Sequence, residues 1–389
     1  MQRDTQKYSQ YSNNGKFGVL LGRRILVPAE YDLIIFTYCW NNLEGLPENT
    51  PSCQLSESLK ERWIIACNNP EYGYLRSTKN KSLVRGETKI FDLDGQELHL
   101  HYHNERIRVP IVSITQFDAV LFKAETLDSS GKSYFCLFKD DGDVVIPFKY
   151  QSIKPLEPDH KYTMQQSLVV VGREIKYGIR YGERFAEESG KYGVIDLELN
   201  EIVPVDFDKV VSAGRLFENN KWVKFYGDYI IATRSNKMGL FLRNGELLFP
   251  CIYTYILVNR KFIQLYFGGQ RLYREYEGYV KDSVKGGKWA VYLPDNMHFS
   301  KAEFDAVYEI GEKKGYLAAV VKNGEAGYID INLNYTPSRE LDSRKILHSN
   351  VFREDDFPHE DYQEWTQRDY EEMNRGAFEG EPDAEWNID

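Results

Sequence analysis

One sequence pattern recurs along the chain and constrains its fold more than any other feature. In its full form the pattern begins with an apolar run, which is followed by Gly-Lys or Asn-Lys. A second apolar run that contains a glycine comes next, and an Ile-Val-Pro-like stretch and an aromatic residue end the pattern. Clear copies occupy residues 15–34, 190–210 and 236–256, and weaker copies begin at residues 89, 134, 287 and 315. Seven tandem units, in which anchors such as Gly193 and Gly239 are 46 residues apart, predict one supersecondary unit repeated side by side.

The composition of each unit predicts β-structure. The apolar runs are short and rich in Val, Ile, Tyr and Phe, which is typical of strands. Asn244 and Asn323, each followed by glycine, predict type I′ hairpin turns. Gly190 and Asn236, each followed by lysine, stand where a tight hairpin needs a positive φ.

Two further positions of the unit have a structural reason. A glycine falls inside a strand, where it permits a β-bulge or the close approach of a neighbouring backbone. These glycines are Gly18, Gly193, Gly239 and Gly327. The proline after the third strand is expected to end strand pairing, because it has no N–H to donate.

The order Gly-Lys-aromatic-Gly-Val-Ile, turn, Ile-Val-Pro and Tyr-Asp resembles the bacterial WG (KWG) repeat family. The resemblance covers residues 15–337, and only Lys288-Trp289 keeps the tryptophan, with Ala290 in place of the glycine. It implies a β-rich repeat scaffold and no known chemistry.

The chain is therefore predicted to be all-β, with tandem antiparallel β-repeats in a seven-bladed propeller-like array. An open β-solenoid is the alternative, since both arrangements stack such units. We expect a repeat domain at 1–337, a linker at 338–352 and an acidic aromatic tail at 353–389, either a short C-terminal helix or disordered. Insertions at 41–58, 173–189 and 268–286 are expected to be loops on one rim or face.

Charge is distributed unevenly between these regions. The 389 residues carry a net charge of −10, but residues 353–389 contain 14 acidic residues and three arginines, a net charge of −11. The remaining residues have a net charge of +1, so neither part is typical of a basic nucleic-acid binder. The sequence predicts no nucleic-acid partner.

The tail combines its acidic residues with aromatic residues. High charge and few aliphatic residues favour a disordered, solubilising segment. Aromatic residues interspersed with acids favour docking into a basic, apolar groove, in cis or in trans. The candidate partner-binding residues of the tail are Phe357, Tyr362, Trp365, Tyr370, Phe378 and Trp386.

Three smaller clusters are candidate sites in the repeat domain. His99, His101 and His103 would share one face of a strand and could meet a metal, although an exposed strand is the competing interpretation. Carboxylate pairs that a glycosidase would need are interpreted instead as turn residues. Tyr273, Tyr276 and Tyr279 alternate with basic residues and are interpreted as a hairpin that contacts a partner.

The cellular setting follows from absences in the sequence. Its first seven residues have no apolar core, and no run approaches the roughly 18 apolar residues of a membrane helix. The five cysteines are scattered and form no CxxC pair, as expected for reduced thiols in a cytoplasmic protein, with Cys67, Cys136 and Cys251 as small apolar strand residues. We expect no membrane association.

No nucleophile elbow, P-loop or dinucleotide fingerprint is present, so we expect no enzyme activity and no cofactor. The sequence favours a non-enzymatic protein-binding scaffold of a bacterial cytoplasm, in one version an immunity or antitoxin-like protein that blocks a partner. The alternative is a carbohydrate-binding or hydrolytic β-propeller.

Overall fold

The computed structural model describes residues 8–40, 59–73, 82–156, 167–180, 183–213, 215–218, 221–224, 228–259, 261–276, 279–310 and 315–349. These residues form 31 strands and one short helix, so the prediction of an all-β chain is confirmed. The strands pair as antiparallel sheets, and none of the described sheets closes into a barrel.

The first part of the chain forms three sheets and a small hairpin. Sheet 1 contains β1 (Tyr8–Asn13), β2 (Lys16–Leu21) and β3 (Arg24–Tyr31). Sheet 2 contains β4 (Leu33–Trp40), β5 (Leu59–Gly73), β6 (Ser82–Phe91) and β7 (Glu97–Leu98). A separate hairpin pairs β8 (His101–Tyr102) with β9 (Glu105–Arg106). Sheet 3 contains β10 (Ser113–Gln116), β11 (Phe122–Leu127), β12 (Ser133–Phe138) and β13 (Val144–Tyr150).

Sheets 4 and 5 repeat the four-stranded arrangement. Sheet 4 contains β14 (Ser152–Pro155), β15 (Leu168–Arg180), β16 (Glu183–Asp196) and β17 (Glu201–Phe207). Sheet 5 contains β18 (Lys209–Ser212), β21 (Tyr229–Arg234), β22 (Lys237–Leu242) and β23 (Leu247–Tyr253). A second small hairpin, between β18 and β21 in the chain, pairs β19 (Arg215–Glu218) with β20 (Lys221–Lys224).

The last eight strands pair as one continuous sheet, which we describe as two parts, sheet 6 and sheet 7, joined by the pairing of Trp289 with Phe304. Sheet 6 contains β24 (Tyr255–Val258), β25 (Ile263–Tyr276), β26 (Tyr279–Leu293) and β27 (His298–Phe299). Sheet 7 contains β28 (Phe304–Glu309), β29 (Ala318–Lys322), β30 (Glu325–Ile329) and β31 (Tyr335–Pro337). The helix α1 (Ser343–Ser349) follows.

The described residues divide between two compact units. The first contains those of Met1–Arg215, Lys224–Gly268 and Ala290–Ala302, which include sheets 1 to 5 and the inner part of sheet 6. The second contains those of Leu216–Val223, Gly269–Trp289 and Glu303–Asp389, which include sheet 7, α1 and the outer part of the β25–β26 hairpin.

Each copy of the sequence repeat supplies the same strand of its sheet. The run that contains the internal glycine forms the third strand of sheets 4, 5 and 7, namely β16, β22 and β30, and β2 of the three-stranded sheet 1. A Cβ atom on Gly193 would collide with the carbonyl oxygen of Val203 in the next strand, and the register shifts between Tyr192 and Val194. The prediction that this glycine permits a bulge and a close backbone approach is confirmed.

Two local predictions are wrong. Pro28, Pro204 and Pro250 lie inside β3, β17 and β23 and do not end them. These strands are at sheet edges, where a missing N–H costs no ladder bond. Asn244 does not begin a type I′ turn, because only Gly245 has a positive φ (94°) and its amide bonds the carbonyl of Leu242.

The other turns also separate into two kinds. Asn323 (φ 51°) and Gly324 (φ 82°) form the predicted type I′ turn, and Asn236 (φ 61°) lies in a similar turn. The prediction of a tight turn at Gly190 is also wrong, because Gly190 lies within β16 and the hairpin of sheet 4 continues well beyond it.

The core of the first unit lies between successive sheets. Alternate residues of one strand face opposite sides, so that Ile64 belongs to the cluster shared with sheet 1 and Trp63 to the cluster shared with sheet 3. The five clusters lie between sheets 1 and 2, 2 and 3, 3 and 4, 4 and 5, and 5 and 6, and include Val19, Phe138, Val169, Ile230 and Leu265 respectively. Sheets 2 to 5 therefore contribute both of their faces to the core.

The lysine and the aspartate of the repeat meet at one end of the sheets. Asp208 accepts a hydrogen bond from Lys191 Nζ (3.0 Å) and another from the backbone amide of Ser235 (2.7 Å), which lies in the tight turn of sheet 5. In the second unit, Asp305 pairs with Lys288 and accepts from the amide of Gly324 (3.1 Å). The lysine and the aspartate of the motif therefore form a joint that links one sheet to the tight turn of the next sheet.

The predicted linker contains a packed helix. Ile346 of α1 is buried with Ala306, Val321 and Tyr328, so α1 covers one face of sheet 7. Part of the segment 338–352 is therefore attached to the sheet that precedes it.

Candidate functional site

Three long hairpins distinguish sheets 2, 4 and 6 from the other sheets. Each joins the second strand of its sheet to the third and continues beyond the paired core of the sheet. We name them by their described residues: arm 1 is 69–73 and 82–86, arm 2 is 174–180 and 183–190, and arm 3 is 269–276 and 279–287. In sheets 1, 5 and 7 the corresponding connection is a two-residue turn, and in sheet 3 it is a short loop of five residues, 128–132.

The base of arm 1 is bent and closely packed. Asn69 has a positive φ (52°), and the register of β5 and β6 shifts between Asn68 and Glu71. Gly86 has φ 152°, and a Cβ atom there would collide with the sulfur of Cys67. On the other side, Arg85 donates a hydrogen bond to the carbonyl of Ser129 in sheet 3 (2.7 Å). These features give arm 1 a fixed exit direction from its sheet.

Arm 2 begins with a similar irregularity. Glu174 has a positive φ (54°), and the register of β15 and β16 shifts after Arg173. Ile175 packs against the core between sheets 4 and 5, close to Gly172 and Gly190, which leave room for it. The arm is therefore held at its base by apolar packing.

Arm 3 begins with consecutive glycines. Gly268 (φ 68°) and Gly269 (φ 61°) both adopt the left-handed region, and Gly286 (φ 82°) does so on the other strand. A Cβ atom on Gly269 would collide with the carbonyl of Lys285 and with the amide of Gly287 (2.7 Å). Only glycine fits this base without strain.

The tyrosines selected from the sequence lie on arm 3. Tyr273 and Tyr276 are in β25 and Tyr279 begins β26, so the prediction that they form a hairpin is confirmed. Their side chains lie outside what the structure describes. The corresponding arms of sheets 2 and 4 were not predicted as a set, although the insertion at 173–189 ends directly before Gly190 and could have been assigned to the same hairpin.

Of the three insertions expected on one rim or face, 173–189 and 268–286 fall largely within arms 2 and 3, and 41–58 lies outside the described residues. Residues 41–58 join β4 to β5, the first and second strands of sheet 2.

The three histidines do not share a strand. His99 lies between β7 and β8, His101 is in β8, and His103 (φ 49°) forms a turn with Asn104 (φ 66°). His99 Nδ1 is 3.5 Å from a carboxylate oxygen of Glu97. Within the described ranges, no group of three or more His, Cys, Asp or Glu side chains is placed to hold a metal ion. The geometry on which a metal site would depend is therefore not formed.

The carboxylate pairs are engaged in turns and ion pairs. Asp92 accepts hydrogen bonds from the amides of Asp94 (2.9 Å) and Gln96 (2.7 Å), and Asp141 accepts one from the amide of Asp143 (3.0 Å), so the turn interpretation is confirmed there. Asp206 pairs with Arg234 (2.5 Å). These carboxylates are engaged in stabilising the backbone and the sheet surface.

The described cysteines are free thiols in strands. Cys67 and Cys136 are fully buried, in β5 and β12, and Cys251 is partly buried in β23. Burial raises the pKa of the Cys67 thiol to about 11, with smaller contributions from Asp32 and Glu87. Both buried thiols therefore behave as apolar side chains, as predicted.

The tail candidates Phe357, Tyr362, Trp365, Tyr370, Phe378 and Trp386 lie outside the described residues. In the part of the chain that the structure covers, no helix has the length and apolar character needed to cross a membrane.

No family model matches the chain, and no curated protein matches it. Among solved structures it matches PorZ, described as an essential bacterial surface component of the type-IX secretion system of Porphyromonas gingivalis, at 12% identity. The match covers 71% of this chain and 36% of PorZ, with a TM-score of 0.21. The chain thus spans little more than a third of the length of PorZ.

Proposed function

We propose that the chain is a non-enzymatic protein-binding scaffold in which arms 1, 2 and 3 contact the partner. The observation that carries the proposal is the alternation of long hairpins, in sheets 2, 4 and 6, with short ones, in sheets 1, 3, 5 and 7, at one position of the repeat. Tight turns suffice to build sheets 1, 5 and 7, so the extra length in sheets 2, 4 and 6 serves another purpose than sheet formation.

The composition of the arms supports a protein partner. Tyrosine and arginine are among the residues most enriched at protein interfaces, and each arm contains both. The arm residues of these two types in the strands are Tyr72, Arg85, Tyr177, Arg180, Arg184, Arg271, Tyr273, Arg274, Tyr276 and Tyr279. A two-stranded ribbon is marginally stable by itself in water, so a partner that covers it also stabilises it.

The sheets that carry the arms are proposed to be blades of a propeller-like array. The support is the series of five cores, each between one sheet and the next in the chain. Small-angle X-ray scattering on a chain that ends at Asn350 tests this. A compact array of this size should have a radius of gyration of about 20 Å. A distinctly larger value would instead favour the open solenoid.

The acidic tail is proposed as a second contact with the same partner. Its support is the sequence alone: 14 acidic residues and six aromatic candidates within residues 353–389.

Arm replacement tests the proposal. In three variants, one arm each is replaced by Asn-Gly, the turn that joins β1 to β2 in this chain. Partners are captured from the source cells by the full chain and by each variant in parallel, and are quantified by mass spectrometry. We expect a protein that the full chain captures to be lost from at least one arm variant.

Two controls complete the experiment. Replacing Asn323-Gly324 by Asp-Gly keeps a tight turn and should leave capture unchanged. A chain that ends at Asn350 measures the contribution of the tail separately. Capture that is equal for all three arm variants and the full chain would disprove the role of the arms.

A further inference from the structure

Each arm is held by the same repeat position, the residue that links the preceding sheet to the sheet carrying the arm. It follows the buried aromatic that ends the preceding sheet: Asp32 after Tyr31, Gln151 after Tyr150, and Thr254 after Tyr253. Before the sheets that have tight turns, the equivalent residues are Asp208 and Asp305, which bind the turn amides.

In each arm, the hydrogen bond from this position is made at the place where the backbone bends. Asp32 Oδ2 accepts from the amide of Asn69 (3.0 Å), the residue with φ 52°. Gln151 Oε1 accepts from the amide of Ile175 (3.0 Å), directly after Glu174. On arm 3, Thr254 Oγ1 donates to the carbonyl of Gly268 (2.8 Å), the first of the two left-handed glycines.

The three side chains at this position, which we call the anchors of the arms, differ in charge and in hydrogen-bonding groups. Asp32 is charged and pairs with Lys16 (2.7 Å). Thr254 is neutral, and its hydroxyl also accepts from Lys237 Nζ (2.8 Å). Gln151 offers a neutral amide oxygen. The position therefore keeps its function of binding the next hairpin while the side chain varies.

We infer that this position is the positioning residue of each arm: it fixes the bend at the base and thereby sets the direction of the whole ribbon. A hydrogen bond at a hinge restricts the whole ribbon beyond it, whereas the same bond at a tight turn restricts only two residues. A preset arm binds with less loss of conformational entropy than a free one. The consequence for affinity rests on the proposed function, but the effect on the arm does not.

Hydrogen exchange on the full chain tests the inference without a partner. In Gln151→Ala we expect exchange to accelerate about fivefold, the factor that one lost hydrogen bond of ~1 kcal/mol gives. The acceleration should extend over the described arm 2 residues 176–180 and 183–189. Gln151→Glu keeps an acceptor oxygen and should restore the original rates.

Asp208→Ala is the control at a tight turn, where it removes the bond to the amide of Ser235 together with the ion pair to Lys191. There the acceleration should stop at the two turn residues, Ser235 and Asn236. If Gln151→Ala accelerates only the amide of Ile175, Gln151 is a local hydrogen-bond partner and the inference is overturned. If arm 2 loosens but capture of the partner is unchanged, the inference stands and the proposed function of arm 2 fails.

Discussion

Sheets 4 and 5 are neighbours built from two clear copies of one repeat, yet they differ at the connection between their second and third strands. In sheet 5 the second and third strands are joined at Ser235 and Asn236, whereas in sheet 4 the same strands continue into arm 2. Both sheets keep the internal glycine, the edge proline and a core on each face. The difference teaches that the shared part of the repeat builds the sheet, while the hairpin at this end varies without disturbing it.

The largest expected effect concerns the glycine that both sheets share. Gly193→Val places side-chain atoms against the carbonyl of Val203 and against Pro204. We expect a loss of about 3 kcal/mol in the free energy of unfolding, measured in urea, because the overpacked backbone cannot yield. Ala290→Gly in sheet 6 should cost no more than ~1 kcal/mol. Equal losses would show that the glycine is not required for strand spacing.

The next prediction addresses the base of an arm. Gly269→Ala combines a positive φ with a collision against the strand of Lys285. We expect a cost of about 2 kcal/mol, seen as faster hydrogen exchange in arm 3. Unchanged exchange across β25 and β26 would mean that this base tolerates other backbone conformations.

The same substitution in a tight turn, Gly324→Ala, is expected to have a smaller effect on stability than Gly269→Ala. Gly324 has a positive φ (82°), but a Cβ atom added there would meet open space, since nothing lies within 4 Å. Gly324→Ala should therefore cost about 1 kcal/mol from backbone conformation alone. A cost above that of Gly269→Ala would reverse the comparison between arm base and turn.

The smallest effect is that of the exposed ion pair at the joint. Lys191 and Asp208 are about half-exposed, so a double-mutant cycle with Lys191→Met and Asp208→Asn should give about 0.5 kcal/mol of coupling. Coupling indistinguishable from zero would assign the effect of Asp208 to its bond with Ser235.

This joint also has a defined pH dependence. Hydrogen bonds from Lys191 and from the amide of Ser235 hold the pKa of Asp208 below its ordinary value of 3.8. Since the folded pKa is the lower one, the stabilisation is complete above the ordinary pKa and is lost as the pH falls through the folded value. Exchange at Ser235, corrected for the intrinsic rate, should thus accelerate in acid, while Ile175 on the neutral Gln151 should not. Acceleration of both amides would indicate general acid unfolding.

Much of the sheet structure could be predicted from the sequence, because strand periodicity and turn glycines are local signals. Gly193 and Gly324 are examples, since each position is constrained by neighbouring backbone or by its own φ. The proline prediction failed because edge strands were not distinguished from central ones. The strand expected for the histidines failed at His103 and Asn104, and the Asn was an available turn signal.

The arms as a set could not be predicted, since their anchors join residues that are distant in the sequence. Gln151 and Ile175 are 24 residues apart, with β14 and the start of β15 between them, so no local pattern connects them. The pairing of β14 with β15 in sheet 4 brings the two together.

The central claim is that the sheets form the scaffold and the arms form the contact surface. Hydrogen exchange of the full chain with and without its captured partner tests this most directly. We predict that the partner slows exchange in at least one arm, within 69–73 and 82–86, 174–180 and 183–190, or 269–276 and 279–287. Protection confined to the edge strands of the sheets, with all three arms unchanged, would contradict it.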